Sequence, residues 1–542
     1  MKKMNDTDMI SAERFSFTYP GEQIRALEDI CFEAPKGSFL LVAGPSGSGK
    51  TTLLRSLKKE LRPVGRSEGV IHVPDGVAYV MQDPANQIVM DVVWHELAFG
   101  LENLGFTPQV IERRIAETAH FFGIASWIHR SVSELSGGEK QILNLASSLI
   151  LNPEVLILDE PTAQLDPIAV QHFLSLVQRI HREVGTTLIM SEHRMTDVLA
   201  MVDDVLFLEQ GRVSFSGTPE AFACHLLEQN SPYQAALPAA TLAACRADDI
   251  LGKVHERPAL AIPEARRRLQ PFKDIITKER QDDKSANANS MILESKHVQY
   301  RYRADLPTVL DDASLVIRKG SIHTVVGGNG SGKSTLLYLL SGVLSPLRGR
   351  VVREEKARIG LMTQHAKALF TADTLFDDLM ELSGLGEYSE TEVMTIAVKL
   401  SLTSLLARHP YDLSGGEMQK AALAKLLLLS PDILLLDEPV KGLDAVSKRE
   451  IAALFRGLQE EGKTLFIATH DLNFSALVSD TCSLIFDGRI VATGDVKTFY
   501  RGNAFYTTDY VRVTEGIIPG IVTADDLDEY FVNVDGRQSD GF

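Results

Sequence analysis

The chain has 542 residues, more than one ordinary domain holds, which predicts two or three domains. Hydrophobic residues make up 44% and charged residues 23%, a globular composition that excludes a disordered or fibrous protein. The formal net charge of −17 argues against a nucleic-acid partner, because nucleic-acid binders use a basic surface to neutralise phosphates.

Neither the cysteines nor the N-terminus indicates a secreted protein. The four cysteines are scattered without a CxxC pair, which indicates neither a zinc ribbon nor a disulfide framework. The N-terminal segment lacks the apolar core of a signal peptide. The apolar stretch at 423–437 is broken by Ser430, Pro431 and Asp432, short of the roughly 18–20 residues that cross a bilayer. We expect no membrane span, so a membrane role would depend on partners.

A glycine-rich loop follows an apolar run early in the chain. FLLVAG (39–44) is typical of a buried parallel strand, and the loop GPSGSGKTT (44–52) then leads into a helical pattern. Bare backbone at a helix N-terminus can point several N–H groups at phosphate oxygens. We expect Lys50 to bridge the β- and γ-phosphates of ATP and Thr51 to bind Mg²⁺. Further nucleotide contacts are predicted for Gly44, Gly47, Gly49 and Thr52.

An acidic pair closes a later strand. Asp159 ends the apolar run VLILD (155–159), where it is placed to hold Mg²⁺, and the adjacent Glu160 is placed to polarise an attacking water. A lone Asp-Glu pair after a strand is usually a solvated turn. This pair follows four apolar residues, precedes a proline and lies about 110 residues after Lys50. The functional interpretation is therefore favoured.

Two further motifs belong to the same half. LSGGE (135–139) opens a predicted helix with a serine and two glycines, which makes a second anion-binding cap. His193 follows the apolar run TTLIMS (186–191). Short apolar runs alternate here with helical patterns, which predicts an α/β fold with a mostly parallel core sheet.

Every one of these motifs recurs once. Lys333 follows Lys50 by 283 residues, and Asp437 follows Asp159 by 278. Near-constant offsets indicate a duplicated domain of about 220 residues rather than chance. The second copies are GGNGSGKST (327–335), LSGGE (413–417), ILLLDEP (433–439) and TLFIATH (464–470). They predict nucleotide contacts at Gly327, Gly330, Gly332, Lys333, Ser334 and Thr335, metal contacts at Ser334 and Asp437, and a catalytic role for Glu438.

The repeat divides the chain into four parts. We predict a first nucleotide-binding domain at 1–220, a linker at 221–289, a second nucleotide-binding domain at 290–500 and a C-terminal tail at 501–542. Prolines and the polar run QDDKSANANS (281–290) predict a partly helical linker with a flexible end. The tail has no counterpart in the first half and is either a poorly packed end or an element for regulation or docking.

Three consecutive arginines stand out in the linker. We interpret Arg266, Arg267 and Arg268 as a solvated helix face rather than a binding patch, because opposite charges in the linker nearly cancel.

Together these motifs resemble the ATPases of ABC transporters, and the resemblance covers both halves. It implies tandem P-loop NTPase domains, each with a RecA-like parallel-sheet core and a helical subdomain. It also implies a head-to-tail sandwich, in which each ATP lies between the phosphate loop of one half and the LSGGE of the other. Fusion would raise the effective concentration of that pairing. On this resemblance the signature contacts are Ser136, Gly137, Gly138, Ser414, Gly415 and Gly416.

The resemblance assigns further residues. His193 and His470 match the histidine that senses the γ-phosphate, and Gln82 and Gln364 match a glutamine that contacts nucleotide and metal. Tyr19 resembles the aromatic residue that stacks on adenine. Its second-half counterpart is Tyr302, with Tyr300 as a competitor, and plain strand packing is the alternative for both halves.

Parts of the first half resemble a narrower class. QDPANQIV (82–89), the following residues to 105 and SEHRMTDVL (191–199) are similar to the ATPases of energy-coupling factor importers, the cobalt and vitamin uptake class. This implies an ATPase at the cytoplasmic face of the cell membrane, under an integral membrane coupling subunit and a substrate-binding membrane subunit. The cargo of such systems is a vitamin, a vitamin precursor of the thiamine and pyrimidine class, or a transition metal ion.

The second half lacks the DPxxQ element after Gln364, so we expect the halves to dock different coupling elements. Acidic residues follow both glutamines. They either face basic helices of the membrane partner or are ordinary surface acids, and the sequence leaves both interpretations open. These acids are Asp83, Asp91, Glu96, Asp373, Asp377 and Asp378.

Other classes of tandem ATPase remain as alternatives. A translation factor of the ABC-F type acts on ribosomes through a basic linker, whereas residues 221–290 hold ten Lys and Arg against nine Asp and Glu. The ATPase of an ABC exporter is the third possibility. A DNA-repair ATPase is disfavoured, because no coiled coil or zinc module separates Lys50 from Ser136 or Lys333 from Ser414.

Overall fold

The computed structural model describes residues 8–253, 257–273, 275, 290–364, 366–386 and 388–539. The chain forms two compact units, the first built mainly from residues up to Pro238 and the second mainly from Ala239 onward. The polar run predicted to be the flexible end of the linker, at 281–290, lies outside the described residues except for Ser290.

The first unit alternates strands and helices. Its strands are β1 (Asp8–Thr18), β2 (Leu27–Pro35), β3 (Phe39–Ala43), β4 (Arg66–His72), β5 (Val77–Val80), β6 (Val155–Asp159), β7 (Thr187–Ser191), β8 (Asp204–Glu209) and β9 (Arg212–Gly217). Its helices are α1 (Lys50–Ser56), α2 (Val93–Asn103), α3 (Pro108–Phe122), α4 (Gly137–Leu149), α5 (Pro167–Arg179), α6 (Met195–Val198) and α7 (Pro219–Glu228).

Two sheets organise this unit. The core sheet has the strand order β5-β6-β7-β3-β8-β9, in which all neighbours are parallel except β8 and β9. A second, antiparallel sheet has the order β2-β1-β4. β3, β6 and β7 are buried along their whole length, because parallel core strands are covered on both faces. Helices α2, α3 and α4 pack on one another and form a helical subdomain.

The second unit repeats this plan after two linker helices, α8 (Ala239–Ile250) and α9 (Ile262–Leu269). Its strands are β10 (Met291–Tyr300), β11 (Leu310–Arg318), β12 (Ile322–Val326), β13 (Arg348–Arg353), β14 (Ile359–Met362), β15 (Ile433–Asp437), β16 (Thr464–Thr469), β17 (Thr481–Phe486) and β18 (Arg489–Asp495). Its further helices are α10 (Lys333–Ser341), α11 (Leu375–Met380), α12 (Ser383–Gly386), α13 (Glu390–Lys399), α14 (Gly415–Leu428), α15 (Ala445–Glu460), α16 (Leu472–Val478), α17 (Val496–Gly502), α18 (Asp509–Thr514) and α19 (Ala524–Ser539).

The strand order of the second unit shows the duplication. The run β18-β17-β12-β16-β15-β14 matches the core sheet of the first unit, and β13-β10-β11 matches its antiparallel sheet. Along β15, Leu434 and Leu436 pack with the helical subdomain, while Ile433 and Leu435 pack with the antiparallel strands and α10. This alternation places apolar layers on both faces of the sheet. The predicted α/β class with two tandem P-loop NTPase domains is confirmed.

The tail packs against the linker helices. α18 and α19 contact α8, and α18 also contacts α9. The Phe272 ring of the linker meets the Phe531 ring of α19 edge-on, with 5.2 Å between their centres. Tyr530 and Val534 on α19 are also buried. The described tail is therefore part of a helical module and not a loose end. Within the described ranges, the helices are too short or too polar to cross a bilayer.

Two of the three linker arginines hold this module together. Arg266 donates hydrogen bonds to the carbonyl oxygens of Arg512 and Glu515 at 2.9 and 2.8 Å. Arg268 forms an ion pair of 2.7 Å with the buried Asp248. Only Arg267 of the three is exposed. The interpretation of the cluster as a solvated face is therefore wrong for Arg266 and Arg268, because the tail supplies partners for Arg266 and the preceding linker helix supplies one for Arg268.

This pairing makes a stability prediction. Arg268→Met leaves the Asp248 carboxylate buried without its cation, which we expect to destabilise the module by about 2–3 kcal/mol. Thermal unfolding should begin at a lower temperature, and limited proteolysis should cut the tail faster. Arg267→Met is the matched control on the same helix and should behave like the wild type. Equal effects of the two substitutions would contradict a specific role for the Arg268–Asp248 pair.

Candidate functional site

The first phosphate loop lies between β3 and α1 and is shaped by two glycines. A Cβ on Gly44 would lie 2.3 Å from the carbonyl oxygen of Leu208, and Gly49 has a φ of 98° at the start of α1. Only glycine satisfies both conditions without strain. The loop encloses the buried Lys50, whose Nζ donates to the carbonyl oxygens of Gly44 and Pro45 at 2.9 and 3.0 Å. Burial lowers the pKa of this ammonium group.

The second phosphate loop has the same construction. Lys333 begins α10 and is buried, and its Nζ donates to the carbonyl oxygens of Gly327 and Gly328 at 2.9 and 3.0 Å. A Cβ on Gly327 would lie 2.4 Å from the carbonyl oxygen of Ile485. Both loops therefore hold a lysine ready to turn towards an anion.

The acid that ends β6 is tied to hydroxyl groups. Asp159 is buried and accepts hydrogen bonds from Thr51 at 3.2 Å, Ser191 at 2.8 Å and Tyr79 at 2.8 Å. Burial raises the pKa of this carboxyl group. The structure thus brings Thr51 and Asp159 together as predicted for a shared metal ion. Tyr79 and Ser191 were not predicted to take part.

The matching acid of the second half has different surroundings. Among the described residues, neither carboxylate oxygen of the buried Asp437 has a hydrogen-bond partner. In the strand register, Leu361 and Ala468 occupy the places of Tyr79 and Ser191. Burial raises the pKa of Asp437 as well. The Ser334 hydroxyl lies close enough to Asp437 to oppose that rise in its pKa. A buried carboxylate with so few donors, beside a hydroxyl group, suits a hard cation such as Mg²⁺. Aligning the strands residue by residue would have revealed this difference.

The acid that follows β6 is paired with the histidine that follows β7. Glu160 Oε1 lies 2.7 Å from His193 Nε2, and Gln82 Nε2 donates to Glu160 Oε2 at 3.0 Å. Burial alone would raise the pKa of Glu160, but the hydrogen bond and charge of His193 lower it overall. Glu160 has a φ of 45°, a strained conformation for a residue with a side chain.

The second half keeps the pair but changes its contacts. Glu438 Oε1 lies 2.8 Å from His470 Nδ1, and Thr469 Oγ1 donates to Glu438 Oε2 at 3.1 Å. Burial would raise the pKa of Glu438, but the charge of His470 lowers it overall. The φ of Glu438, 51°, repeats the strain seen in the first half.

A buried carboxyl group lies beside the first pair, at a position where the second half has a threonine. Glu192 stands where the second half has Thr469, and the hydroxyl of Thr162 donates to it at 2.6 Å. Burial raises the pKa of Glu192. Glu192 lies within SEHRMTDVL (191–199), but the sequence pattern predicts no role for it.

Both signature motifs open long helices. Ser136 caps α4, where its amide donates to Glu139 Oε2 at 2.7 Å and its hydroxyl accepts from the Glu139 amide at 3.3 Å. Ser414 and Glu417 form the same capping box on α14, at 2.8 and 3.4 Å. Gly137, Gly138, Gly415 and Gly416 begin these helices. Their predicted contact with nucleotide stays a prediction.

The two candidate adenine-stacking tyrosines occupy equivalent positions. Tyr19 OH lies 3.0 Å from Thr52 Oγ1, and Tyr302 OH lies 3.0 Å from Thr335 Oγ1. Both rings are at least partly exposed, at 38% and 51%. Tyr300 instead packs edge-on against Tyr302, 5.2 Å away, so Tyr302 is the structural counterpart of Tyr19. The roles in binding adenine stay predictions.

Two of the acids that follow the glutamines serve the fold itself. Glu96 is buried and accepts the amides of Val89 and Met90 at 3.0 and 2.8 Å. Asp378 is buried and accepts the amides of Thr371 and Ala372 at 2.9 and 3.1 Å. Both suggested interpretations, partner-facing acid and ordinary surface acid, are therefore wrong for Glu96 and Asp378.

The structure thus assembles a set of predicted residues in each half. Beside the loop of Lys50, Thr51 is hydrogen-bonded to Asp159. Glu160 is hydrogen-bonded to both Gln82 and His193. Glu438 and His470 are linked in the second half, where Gln364 follows β14 as Gln82 follows β5. Each arrangement can bind phosphate and can hold a carboxylate near it as a base.

Comparison with known proteins agrees with this geometry. The sequence profile of the ABC transporter family matches residues 27–163 and 310–441. A protein of Bacillus cereus named "Putative ABC transporter ATP-binding protein" is 39% identical, over 95% of this chain and 96% of its own length. The protein of Bacillus subtilis named "Putative HMP/thiamine import ATP-binding protein YkoD" is 28% identical, over 89% of this chain and 91% of its own length.

A solved structure shares the fold across both halves. The archaeal ribosome recycling factor aABCE1, solved in complex with the ribosomal stalk protein aP1, superposes with a TM-score of 0.58 at 21% identity and covers 91% of each chain. At that identity the likeness shows the fold alone. The matches to both halves, and the 39% identity along nearly the whole chain, show that this protein belongs to the ABC transporter ATP-binding proteins and is an ATPase of that family.

Proposed function

We propose that this ATPase powers a membrane importer of the energy-coupling factor type, at the cytoplasmic face of the cell membrane. Its cargo would be a vitamin, a vitamin precursor of the thiamine and pyrimidine class, or a transition metal ion. The chain would bind an integral membrane coupling subunit, which works with a membrane subunit that binds the cargo. The main support for this proposal is the structure of the loop that follows Gln82.

That loop is well ordered by its own side chains. Asp83 caps a 3-10 turn at Pro84–Asn86, accepting the amide of Ala85 at 3.1 Å. Gln87 accepts the amide of Met81 and donates to the carbonyl oxygen of Tyr79, both at 2.9 Å. Glu96 accepts the amides of Val89 and Met90, and the Val89 side chain is left 66% exposed. A rigid loop that presents an apolar side chain fits docking to an apolar partner.

The corresponding loop of the second half is built differently. Phe370 is buried there. Lys425 donates to the carbonyl oxygen of Leu369 at 2.7 Å. It also forms ion pairs with Asp378 at 3.2 Å and with Glu381 at 2.7 Å. The second half thus has the buried Lys425–Asp378 ion pair where the first half has the two Gln87 hydrogen bonds and the exposed Val89. This supports the proposal that the halves dock unlike elements of the membrane subunits.

The comparisons add support for the importer class. One relative that aligns along most of both chains is named for import of HMP and thiamine, at 28% identity. Because that name describes the relative, the cargo class of this chain is part of the proposal. The fold shared with a ribosome recycling factor does not favour a ribosomal role, since it shows the fold alone.

The proposed mechanism uses the same groups in both halves. Lys50 and Lys333 would leave their loop carbonyls for the β- and γ-phosphates of ATP, and Tyr19 and Tyr302 would stack on adenine. Thr51, Asp159 and Gln82 would hold Mg²⁺ in the first half, and Ser334, Asp437 and Gln364 in the second. The bound ion would neutralise charge on the phosphate oxygens. Glu160 and Glu438 would accept the proton of the attacking water, with His193 and His470 orienting them. The signature motif of the opposite half would complete each site.

The membrane assignment has a direct test. The chain is co-expressed with candidate membrane proteins encoded beside it, and the complex is isolated in detergent. We expect an integral membrane protein to co-purify, and Val89→Asp to reduce its recovery strongly because a charge enters an apolar contact. Val64→Asp changes another exposed valine of the first half and serves as the control.

Two outcomes would overturn the importer proposal. One is recovery of no integral membrane protein with the wild-type chain. The other is nucleotide-dependent sedimentation of the chain with ribosomes, which would favour a translation factor.

The glutamate–histidine pair found in both halves predicts two working sites. Glu160→Gln and Glu438→Gln should each lower the rate of ATP hydrolysis while ATP binding persists, because the amide cannot accept the water proton. The double variant should lose about a hundredfold or more, the usual contribution of a general base. Steady-state phosphate release measures these rates. Abolished turnover in Glu160→Gln alone, with Glu438→Gln unchanged, would instead indicate one catalytic and one structural site.

The Asp437 carboxylate, which accepts no well-formed hydrogen bond from the described residues, predicts metal dependence at the second site. In a Lys50→Ala background that removes the first site, Asp437→Asn should weaken binding of ATP with Mg²⁺ by about tenfold or more. Binding of ATP in the presence of a chelator should not change. Fluorescent-nucleotide titrations measure both affinities. Equal losses with and without Mg²⁺ would show that Asp437 does not hold the ion.

A further inference from the structure

A tyrosine from the predicted linker reaches the first phosphate loop. The 3-10 turn Pro232–Ala236 follows α7, and Ser231 caps it by accepting the amide of Tyr233 at 3.2 Å. The turn directs Tyr233 inward, where it is 3% exposed. Its ring packs on Phe207 of β8 with 5.0 Å between centres, and Phe207 packs on Phe222 of α7 at 5.2 Å. The ring position is therefore fixed by aromatic packing.

The hydroxyl of Tyr233 meets the loop at the carbonyl that holds the lysine. Tyr233 OH donates to the Gly44 oxygen at 2.9 Å, and Lys50 Nζ donates to the same oxygen at 2.9 Å. A carbonyl oxygen has two lone pairs, so both donors are accommodated. Burial raises the pKa of Tyr233, which keeps its hydroxyl protonated as a donor.

This shared carbonyl matters when the lysine changes partners. On binding phosphate, the Lys50 ammonium must give up the Gly44 oxygen, and a buried carbonyl left without a donor carries a free-energy penalty. With Tyr233 in place, the Gly44 oxygen keeps one hydrogen bond after the lysine leaves. The penalty for releasing Lys50 is therefore reduced.

We propose that Tyr233 is a positioning residue of the first ATP site, which holds the Gly44 carbonyl so that Lys50 is free to bind phosphate. The inference rests on the proposed role of Lys50 as a phosphate ligand. It assigns a function in the first site to a residue of the predicted linker, outside every motif of the family resemblance.

The test isolates the first site and removes only the hydroxyl. In a Lys333→Ala background, Tyr233→Phe should raise the Kd for ATP with Mg²⁺ by about two- to tenfold, the range expected for one hydrogen bond. The same variant should raise KM and leave kcat nearly unchanged, because the lost hydrogen bond weakens ATP binding and not the hydrolysis step. Tyr388→Phe is the matched control, since the buried Tyr388 also donates to a backbone carbonyl, that of Leu379, at 2.6 Å.

A second measurement needs no nucleotide. In a Lys50→Met chain, Tyr233 is left as the donor to the Gly44 oxygen, so adding Tyr233→Phe should lower Tm by more than the sum of the two single effects. Additive effects would show that Tyr233 and Lys50 do not act on the same Gly44 carbonyl, and would overturn the proposal. A wild-type Kd in Tyr233→Phe, or failure of Tyr233→Phe to fold while Tyr388→Phe folds, would overturn it as well.

The outcomes also separate this inference from the proposed function. Absence of ATP binding at the first site of the Lys333→Ala chain would refute the role of Lys50 itself. Normal ATP binding there, without a change in Tyr233→Phe, would refute only the role of Tyr233.

Discussion

The rest of each half is arranged around a buried ammonium group. A buried charge is costly unless polar groups surround it, and the phosphate loop supplies two backbone carbonyls to each lysine. The carbonyls point inward because the loop leaves a fully buried strand at a glycine that has backbone against it. The lysine is thus held by weak partners that phosphate oxygens can replace. The buried strand, the glycine at its end and the helix that begins at the lysine together provide this polar environment for the ammonium group.

Identical motifs do not make identical sites, because the neighbours of the acids differ. Tyr79 and Ser191 both donate hydrogen bonds to Asp159. Beside Asp437 the equivalent strand positions are occupied by apolar residues. A metal ion at the first site would share oxygens with these hydroxyl donors, and one at the second site would meet a carboxylate with fewer donors among the described residues. The buried Glu192 adds a third carboxyl group to the first site, beside Asp159 and Glu160, at a position where the second half has Thr469. Any inequality in turnover would originate in these neighbours, since the motif residues themselves match.

Features that depend on a local sequence pattern could be predicted from the sequence. Glycines before a lysine, an acid at the end of an apolar run and a constant offset indicated the duplicated α/β fold and most of the site. The sequence does not predict contacts that only the folded chain creates. For Glu96 and Asp378 it leaves partner-facing and surface acids open, because a loop that folds back onto a helix start has no local pattern. For Arg266 and Arg268 it predicts a solvated face, because partners in the tail and in the preceding linker helix lie outside the helix period. Tyr233 was missed for the same reason, since 189 residues separate it from Gly44.

The connection between the Gln82 loop and Glu160 bears on how docking would reach the chemistry. Gln82 donates to Glu160, while Gln87 ties the same loop to the end of β5. If the membrane subunit docks at Val89, as we propose, its force acts on a segment that Gln87 and Glu96 make rigid. A rigid segment moves as one piece, so Gln82 would shift with it and release one oxygen of Glu160. In the second half Thr469, which lies on the core strand β16, holds Glu438 instead. The first glutamate would therefore respond directly to docking, and the second would depend mainly on its histidine.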